Sequence, residues 1–188
     1  MTSVLISIQP KWCELIASGE KTVEVRKNRP RVDMPFKCYI YCTNGKPTLG
    51  RCLKDNSLKA TPETDFDNYN KNILFRANGK VIGEFVCNYI EDFKEFEHGM
   101  DALHRHIKLN ACLSYREIYD YLGFAKCGYG WHISDLVIYD YPKELSEFYL
   151  ACDKPKGTDC SVCYDRRENR CKSLKRPPQS WCYVEVLR

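Results

Sequence analysis

The sequence predicts an α+β domain: a mixed, partly closed β-barrel with short helices in its connections and a small cysteine-rich, metal-binding appendage. Three observations predict it. Strand-like runs are separated by irregular crossovers, not by the regular helices of a doubly wound sheet. Two stretches show helical periodicity with their own start and stop residues. Four of the 12 cysteines fall in a stretch that is otherwise poor core material. At 188 residues the chain fits one domain, 1–188, in which 151–179 form a basic insertion before the last strand.

Taken in order, Val4 to Ile8 read as a first strand, with Leu5 and Ser7 on one face. Pro10 suits the first turn of a helix, where its missing N–H costs nothing. Trp12, Leu15 and Ile16 give that helix an apolar face, and Gly19 is a natural stop because it tolerates a left-handed backbone. Lys21 to Lys27 and Lys37 to Cys42 read as strands, separated by a loop holding Pro30, Asp33 and Pro35. Residues 44–78 are polar and read as a long excursion that could contain a hairpin. Lys80 to Tyr89 is a strand, and 100–109 a helix. Ser114 and Glu117 form a capping box for a second periodic helix, carried by Tyr115, Ile118, Tyr119 and Leu122 and ended by Gly123. His132 to Tyr139 is a strand, Leu145 to Tyr149 a short helical turn, and Trp181 to Leu187 the closing strand.

Hydrophobic residues make up 44% of the chain, which excludes global disorder. The start, MTSVLISIQP, has neither a basic region nor a long apolar run, so no signal peptide is expected, and no stretch is apolar enough to span a bilayer. These features predict a cytoplasmic protein with no membrane partner, whose cysteines are thiols or metal ligands instead of disulfides. The net charge of +4 is local: residues 152–188 carry nine Lys/Arg against five Asp/Glu, and the remainder of the chain has 20 of each sign. A basic patch of that kind attracts phosphate, or is a solvated loop.

The polar stretch GEKTVEVR, Gly19 to Arg26, is the first candidate site. Strand alternation turns Val23 and Val25 into a core and Thr22, Glu24 and Arg26 the other way. Lys21 is out of phase, but it sits at the helix–strand junction, where it can be aimed to the same side. Alternation alone also fits a half-solvated strand with a Glu–Arg pair.

The segment ISIQPKWCELIASGEKTVEVRKNRP resembles the start of an ASCH domain, a branch of the PUA-like superfamily. The match lies in the hydrophobic strand, the Pro-x-Trp helix opening and Gly-x-Lys-x-x-Glu-x-Arg, here Gly19, Lys21, Glu24 and Arg26. GYGWHISDLVIYD near residue 130 and the closing SWCYVEVL agree with it. The resemblance covers 1–150 and 180–188. It implies a PUA-like pseudo-barrel whose cleft is lined by this motif and binds RNA or a modified nucleotide or nucleoside. Arg26 would pair with a phosphate or a base edge, Glu24 would accept from an exocyclic amine or hold Arg26, and Lys21 would contact phosphate. Trp12, Trp131 and Trp181 are candidates for stacking on a base, or core residues.

Some ASCH proteins resemble hydrolases, either amidohydrolases on a modified cytidine or ribonucleases. In that reading Lys21 and Glu24 would be catalytic, with Arg26 and His132 as further candidates for RNA cleavage and Glu84 as a second carboxylate. Glu24, however, stands where the amidohydrolases carry their nucleophilic threonine, and Thr22 is two residues earlier.

The second constellation is Cys152, Cys160, Cys163 and Cys171, spaced C-x7-C-x2-C-x7-C. Two thiolates from Cys160 and Cys163 reach one ion, and the outer pair completes a tetrahedron for a structural Zn2+; an iron–sulfur cluster takes the same ligands, and a loop of free thiols is the remaining alternative. The surrounding Arg166, Arg167, Arg170, Lys172, Lys175 and Arg176 would make a metal-ordered knob that clamps nucleic acid or serves as a protein-interaction surface.

Overall fold

The computed structural model describes residues 3–63, 66, 73–94, 103–123, 127–151, 164–165 and 170–186. Strand β1 (Ser3–Ile8) leads into helix α1 (Pro10–Ala17), then β2 (Val23–Arg26) and β3 (Phe36–Cys42). Three short strands follow, β4 (Leu49–Cys52), β5 (Leu58–Ala60) and β6 (Ile73–Arg76), and then β7 (Lys80–Cys87) and β8 (Ile90–Lys94). Helices α2 (Leu103–Ala111) and α3 (Tyr115–Leu122) precede β9 (Cys127–His132), β10 (Ser134–Lys143) and β11 (Phe148–Leu150). The chain ends on the two-residue strands β12 (Tyr164–Asp165) and β13 (Arg170–Cys171) and on β14 (Trp181–Val186).

The fold is mixed α+β, mostly strands with three short helices among the described residues. A six-stranded sheet runs β10-β7-β3-β1-β14-β11, and a three-stranded sheet runs β2-β9-β8. The excursion after β3 holds a third sheet, β5-β4-β6, so it carries more than one hairpin. The barrel expectation needs correction. The six-stranded sheet is open, its end strands β10 and β11 are not paired with each other, and no closed ring of strands forms among the described residues.

The sheets face one another across the main core. Val4, Ile6 and Ile8 of β1 and Cys38, Ile40 and Cys42 of β3 pack with Leu49, Leu58, Ile90 and Trp131. The opposite face of β1 and β3 is buried too: Leu5, Tyr39 and Tyr41 cluster with Phe148 and Val184. A central strand covered on both faces reads as a continuous apolar run, which is why Val4–Ile8 was legible. A third cluster joins Val23 and Val25 of β2 to Ile107 and Ala111 of α2 and Ile118 and Leu122 of α3.

Local signals place the first three elements. Gln9 stands at the N-cap position of α1 without a side-chain capping bond, and Pro10 occupies the first turn. The buried stripe of α1 is Pro10, Cys13 and Ile16, so Trp12 and Leu15, expected on the core face, are only partly buried. Gly19 adopts φ +81°, a backbone conformation that glycine accepts without strain. The capping box at α3 is present in both halves, with the Ser114 hydroxyl accepting from Glu117 N–H and Glu117 accepting from Ser114 N–H. No described helix is long and apolar enough to cross a membrane.

Cys152, Cys160 and Cys163 lie outside the described residues, as does the side chain of Cys171. The ladder of β12 and β13 pairs Tyr164 with Cys171 and Asp165 with Arg170.

Candidate functional site

Strand β2 and the residues leading into it carry three charged side chains that are almost wholly buried. Lys21, just before the strand, is 2% exposed, Glu24 6% and Arg26 7%. Burying charge is costly unless each ion finds partners, and here each does. Lys21 Nζ donates to Val23 O at 2.9 Å and to Ala111 O at 2.7 Å. Glu24 Oε2 lies 3.3 Å from the same ammonium, close enough for ion pairing but without hydrogen-bond alignment. On the other side Glu24 Oε1 meets Arg26 Nη2 at 3.0 Å, and Nη2 also donates to Ser7 O at 2.7 Å. Glu24 thus holds two cations apart and neutralises one of them.

Two atoms of this trio have no hydrogen-bond partner: Glu24 Oε2, an acceptor, and Arg26 Nε, a donor. Buried polar atoms are nearly always paired; these two are closed to solvent in the structure and lie beside an opening. The opening is a cleft of about 570 Å³ that Lys21, Glu24, Val25 and Arg26 line from one side. Its other walls are Ser7, Gln9 and Trp12, then Thr43, then Leu113, Glu117, Asp120 and Tyr121 of α3 and its approach, and Pro178 to Ser180. The last stretch is tied to the trio through Ser7, whose hydroxyl donates to Pro178 O at 2.7 Å and whose N–H donates to Ser180 O at 2.9 Å. Trp12 presents its ring to Lys21, with Nζ 5.3 Å from the centroid, and to Lys11 at 4.2 Å. Lys11 also reaches Glu117 at 3.3 Å, linking α1 to α3.

The structure therefore brings together Trp12, Lys21, Glu24 and Arg26. It separates the other sequence candidates from them. Thr22 is exposed and bonds Asn110 of α2, with Oγ1 donating to Oδ1 at 3.2 Å and N–H donating to the carbonyl at 2.8 Å. Alternation does not reach back to it, because the strand starts at Val23. Trp131 is fully buried, opposite Glu24 in the β2–β9 register, and packs edge-on against Phe36 at 5.8 Å. Its ring is core and offers no face to a base. Trp181 is partly buried and packs between Trp131 and Tyr183, and it does not line the cleft.

His132 is also elsewhere, its Nε2 3.3 Å from Glu91 Oε2 and its ring stacked on His106 at 6.0 Å. Glu84 projects from β7 toward Lys37 and Tyr139. Burial pushes its carboxyl up, but bonds from those two groups outweigh it and hold Glu84 below the usual carboxylate range. Neither residue lines the cleft.

Sequence reasoning missed the opposite wall. Ser7 was placed only on a strand face and Glu117 only in a capping box; Gln9, Thr43, Asp120, Tyr121, Gln179 and Ser180 had no local signal. Among the described residues no group of three or more His, Cys, Asp or Glu side chains could hold a metal ion.

The Lys21 end of the site is a closed pocket for a cation. A lysine ammonium has three donors and no acceptor. Two protons of Lys21 are committed to backbone carbonyls and the third side faces a carboxylate. That environment holds the ammonium in place.

Fold and site together define an α+β domain with a strand–helix–strand unit whose second strand forms the charged floor of a cleft. The ASCH domain family model matches residues 6–152, and the chain belongs to that family. Among solved structures, ASCH from Zymomonas mobilis is 20% identical, with a TM-score of 0.54 over 99% of this chain and 87% of that one. Two single-residue mutants of the same protein give TM-scores of 0.55 at 19% and 18% identity, covering 99% of this chain and 90% and 88% of theirs. These likenesses establish the shared fold. No curated protein sequence matches the chain.

Proposed function

We propose that the cleft binds RNA, or a modified nucleotide or nucleoside, by its base. ASCH domains are generally thought to bind RNA. The observation that carries the reading here is the buried Lys21–Glu24–Arg26 trio on the cleft floor, with one acceptor and one donor that make no hydrogen bond. A carboxylate beside a guanidinium offers the acceptor–donor pair that a base edge complements. Trp12, partly buried on the cleft wall, supplies a ring on which a base can stack. Outside the cleft, exposed Lys172, Lys175 and Arg176 run directly into Pro178 to Ser180 and would follow the phosphate backbone.

Fluorescence anisotropy with a labelled single-stranded RNA tests this. Arg26→Ala should weaken binding by about 10- to 100-fold, the worth of one hydrogen bond to a charged group. Lys175→Ala with Arg176→Ala should reduce the salt dependence of binding, since each lost phosphate contact lowers the slope. Unchanged affinity in a folded Arg26→Ala protein would remove the cleft from the binding site.

The cysteine-rich segment is read as the holder of a structural Zn2+, with Cys152, Cys160, Cys163 and Cys171 as ligands. Support comes from spacing and from a composition that apolar burial alone cannot order. Elemental analysis should find one zinc per chain, lost in the Cys160→Ser/Cys163→Ser variant. Absence of zinc from protein purified without chelator would refute it.

A further inference from the structure

We infer that the cleft takes the uncharged part of its ligand and excludes phosphate, with Glu117 and Asp120 of α3 setting that selectivity. The inference rests on the nucleobase reading and narrows it. A cleft meant for phosphate would present free cations, as Arg or Lys forks or an open helix N-terminus. Both cations that line this one are held by the protein: Lys21 donates to Val23 O and Ala111 O, and Arg26 Nη2 to Ser7 O and Glu24.

The helix N-terminus is also filled. Helix α3 begins at the cleft wall, and its first N–H groups and positive dipole end would attract an anion. Glu117 already occupies that place, accepting from the Ser114 N–H and hydroxyl, each at 2.8 Å. Those bonds hold its carboxyl below the usual carboxylate range, so it is charged at neutral pH. Asp120 adds a second carboxylate one turn on, met only loosely by Arg116 at 3.7 Å. The lining thus holds two committed cations and three carboxylates, Glu24 included. Lys11 offsets Glu117 from the rim, but it does not line the cleft.

A phosphate in the cleft would face the carboxylates of Glu117 and Asp120, and both lining cations are already committed. A neutral edge is not repelled by them, and a local shift at the cleft floor would give it Glu24 Oε2 and Arg26 Nε, which make no hydrogen bond in the structure. The phosphates of an RNA would therefore stay outside, along the exposed Lys172, Lys175 and Arg176.

The test is a titration of the full chain with the four ribonucleosides, followed by competition with inorganic phosphate. A nucleoside should bind with an affinity that changes little between about 50 and 200 mM salt, a range over which phosphate-driven binding falls steeply. Inorganic phosphate should not displace it. Asp120→Asn, and Glu117→Gln with it, should raise phosphate affinity for the cleft by about tenfold as two repelling charges are removed. Asp120→Asn alone keeps the experiment informative if loss of the capping box unfolds α3. Displacement of nucleoside by phosphate from the unmodified protein would overturn the charge selection and leave the nucleobase reading standing. Failure of every ribonucleoside to bind, alone or with phosphate present, would sink the nucleobase reading and this inference with it.

Discussion

Replacing Glu24 with alanine is expected to destabilise the domain by about 3–5 kcal/mol, because it strands two buried cations at once. Lys21 and Arg26 are each more than nine-tenths buried, and Glu24 is the carboxylate that meets both, at 3.3 and 3.0 Å. Without it the Lys21 ammonium keeps its two carbonyls and Arg26 keeps Ser7 O, but two positive charges then face each other across an emptied site. A domain of this size has a net stability of roughly 5–15 kcal/mol, so the loss is a large share of it. Urea unfolding followed by circular dichroism measures it. Glu24→Gln, which keeps the shape and one acceptor, should also lose most of this stability, since the charge is what is missing.

The informative control is the triple variant Lys21→Met, Glu24→Leu and Arg26→Met. Replacing a whole buried ion network by apolar groups is often close to neutral in stability. Here it should recover most of what Glu24→Ala loses while abolishing ligand binding, and that combination would assign the trio to function. A loss below about 1 kcal/mol in Glu24→Ala would mean the charges are solvated in solution and the buried trio is not as described.

The trio was legible in the sequence because its elements are local and punctuated. Pro10 opens the helix, Gly19 closes it, and Val23 and Val25 mark the inward face of β2, so Glu24 and Arg26 had to share the other. Thr22 was misread because the same alternation was carried one residue past the point where the strand begins. The opposite wall was not legible, because Glu117, Asp120 and Pro178 to Ser180 lie far along the chain and only the tertiary packing brings them to β2. Strand β9 was missed for a different reason. Its Gly128 and Gly130 look like turn residues, yet both are buried in the strand, and a Cβ on Gly130 would sit 3.0 Å from Val23 Cγ1. Glycine there permits the close approach of β2 and β9.

The tryptophans illustrate how similar residues divide between scaffold and site, and their replacement should separate the two. Trp131→Ala should cost about 3–5 kcal/mol of stability, the range for deleting a large buried aromatic side chain. The ring is fully buried, lies between Phe36 and Trp181, and sits on β9 directly opposite Glu24, on the same face of the sheet, so the cavity would open beside the trio. Trp131→Phe should be much milder, because it keeps part of the packing and removes an indole N–H that has no partner. Trp12→Ala should do the reverse. Its ring is only partly buried and lines the cleft, so the variant should stay folded and lose about 1–3 kcal/mol of binding, the usual worth of one base stacked on an aromatic ring. Parallel thermal melts and RNA titrations of the three variants decide the matter. Should Trp12→Ala bind as well as the unmodified protein, the base does not stack there, and recognition would fall to the polar floor of β2 and the facing wall, where Tyr121 is the remaining aromatic ring.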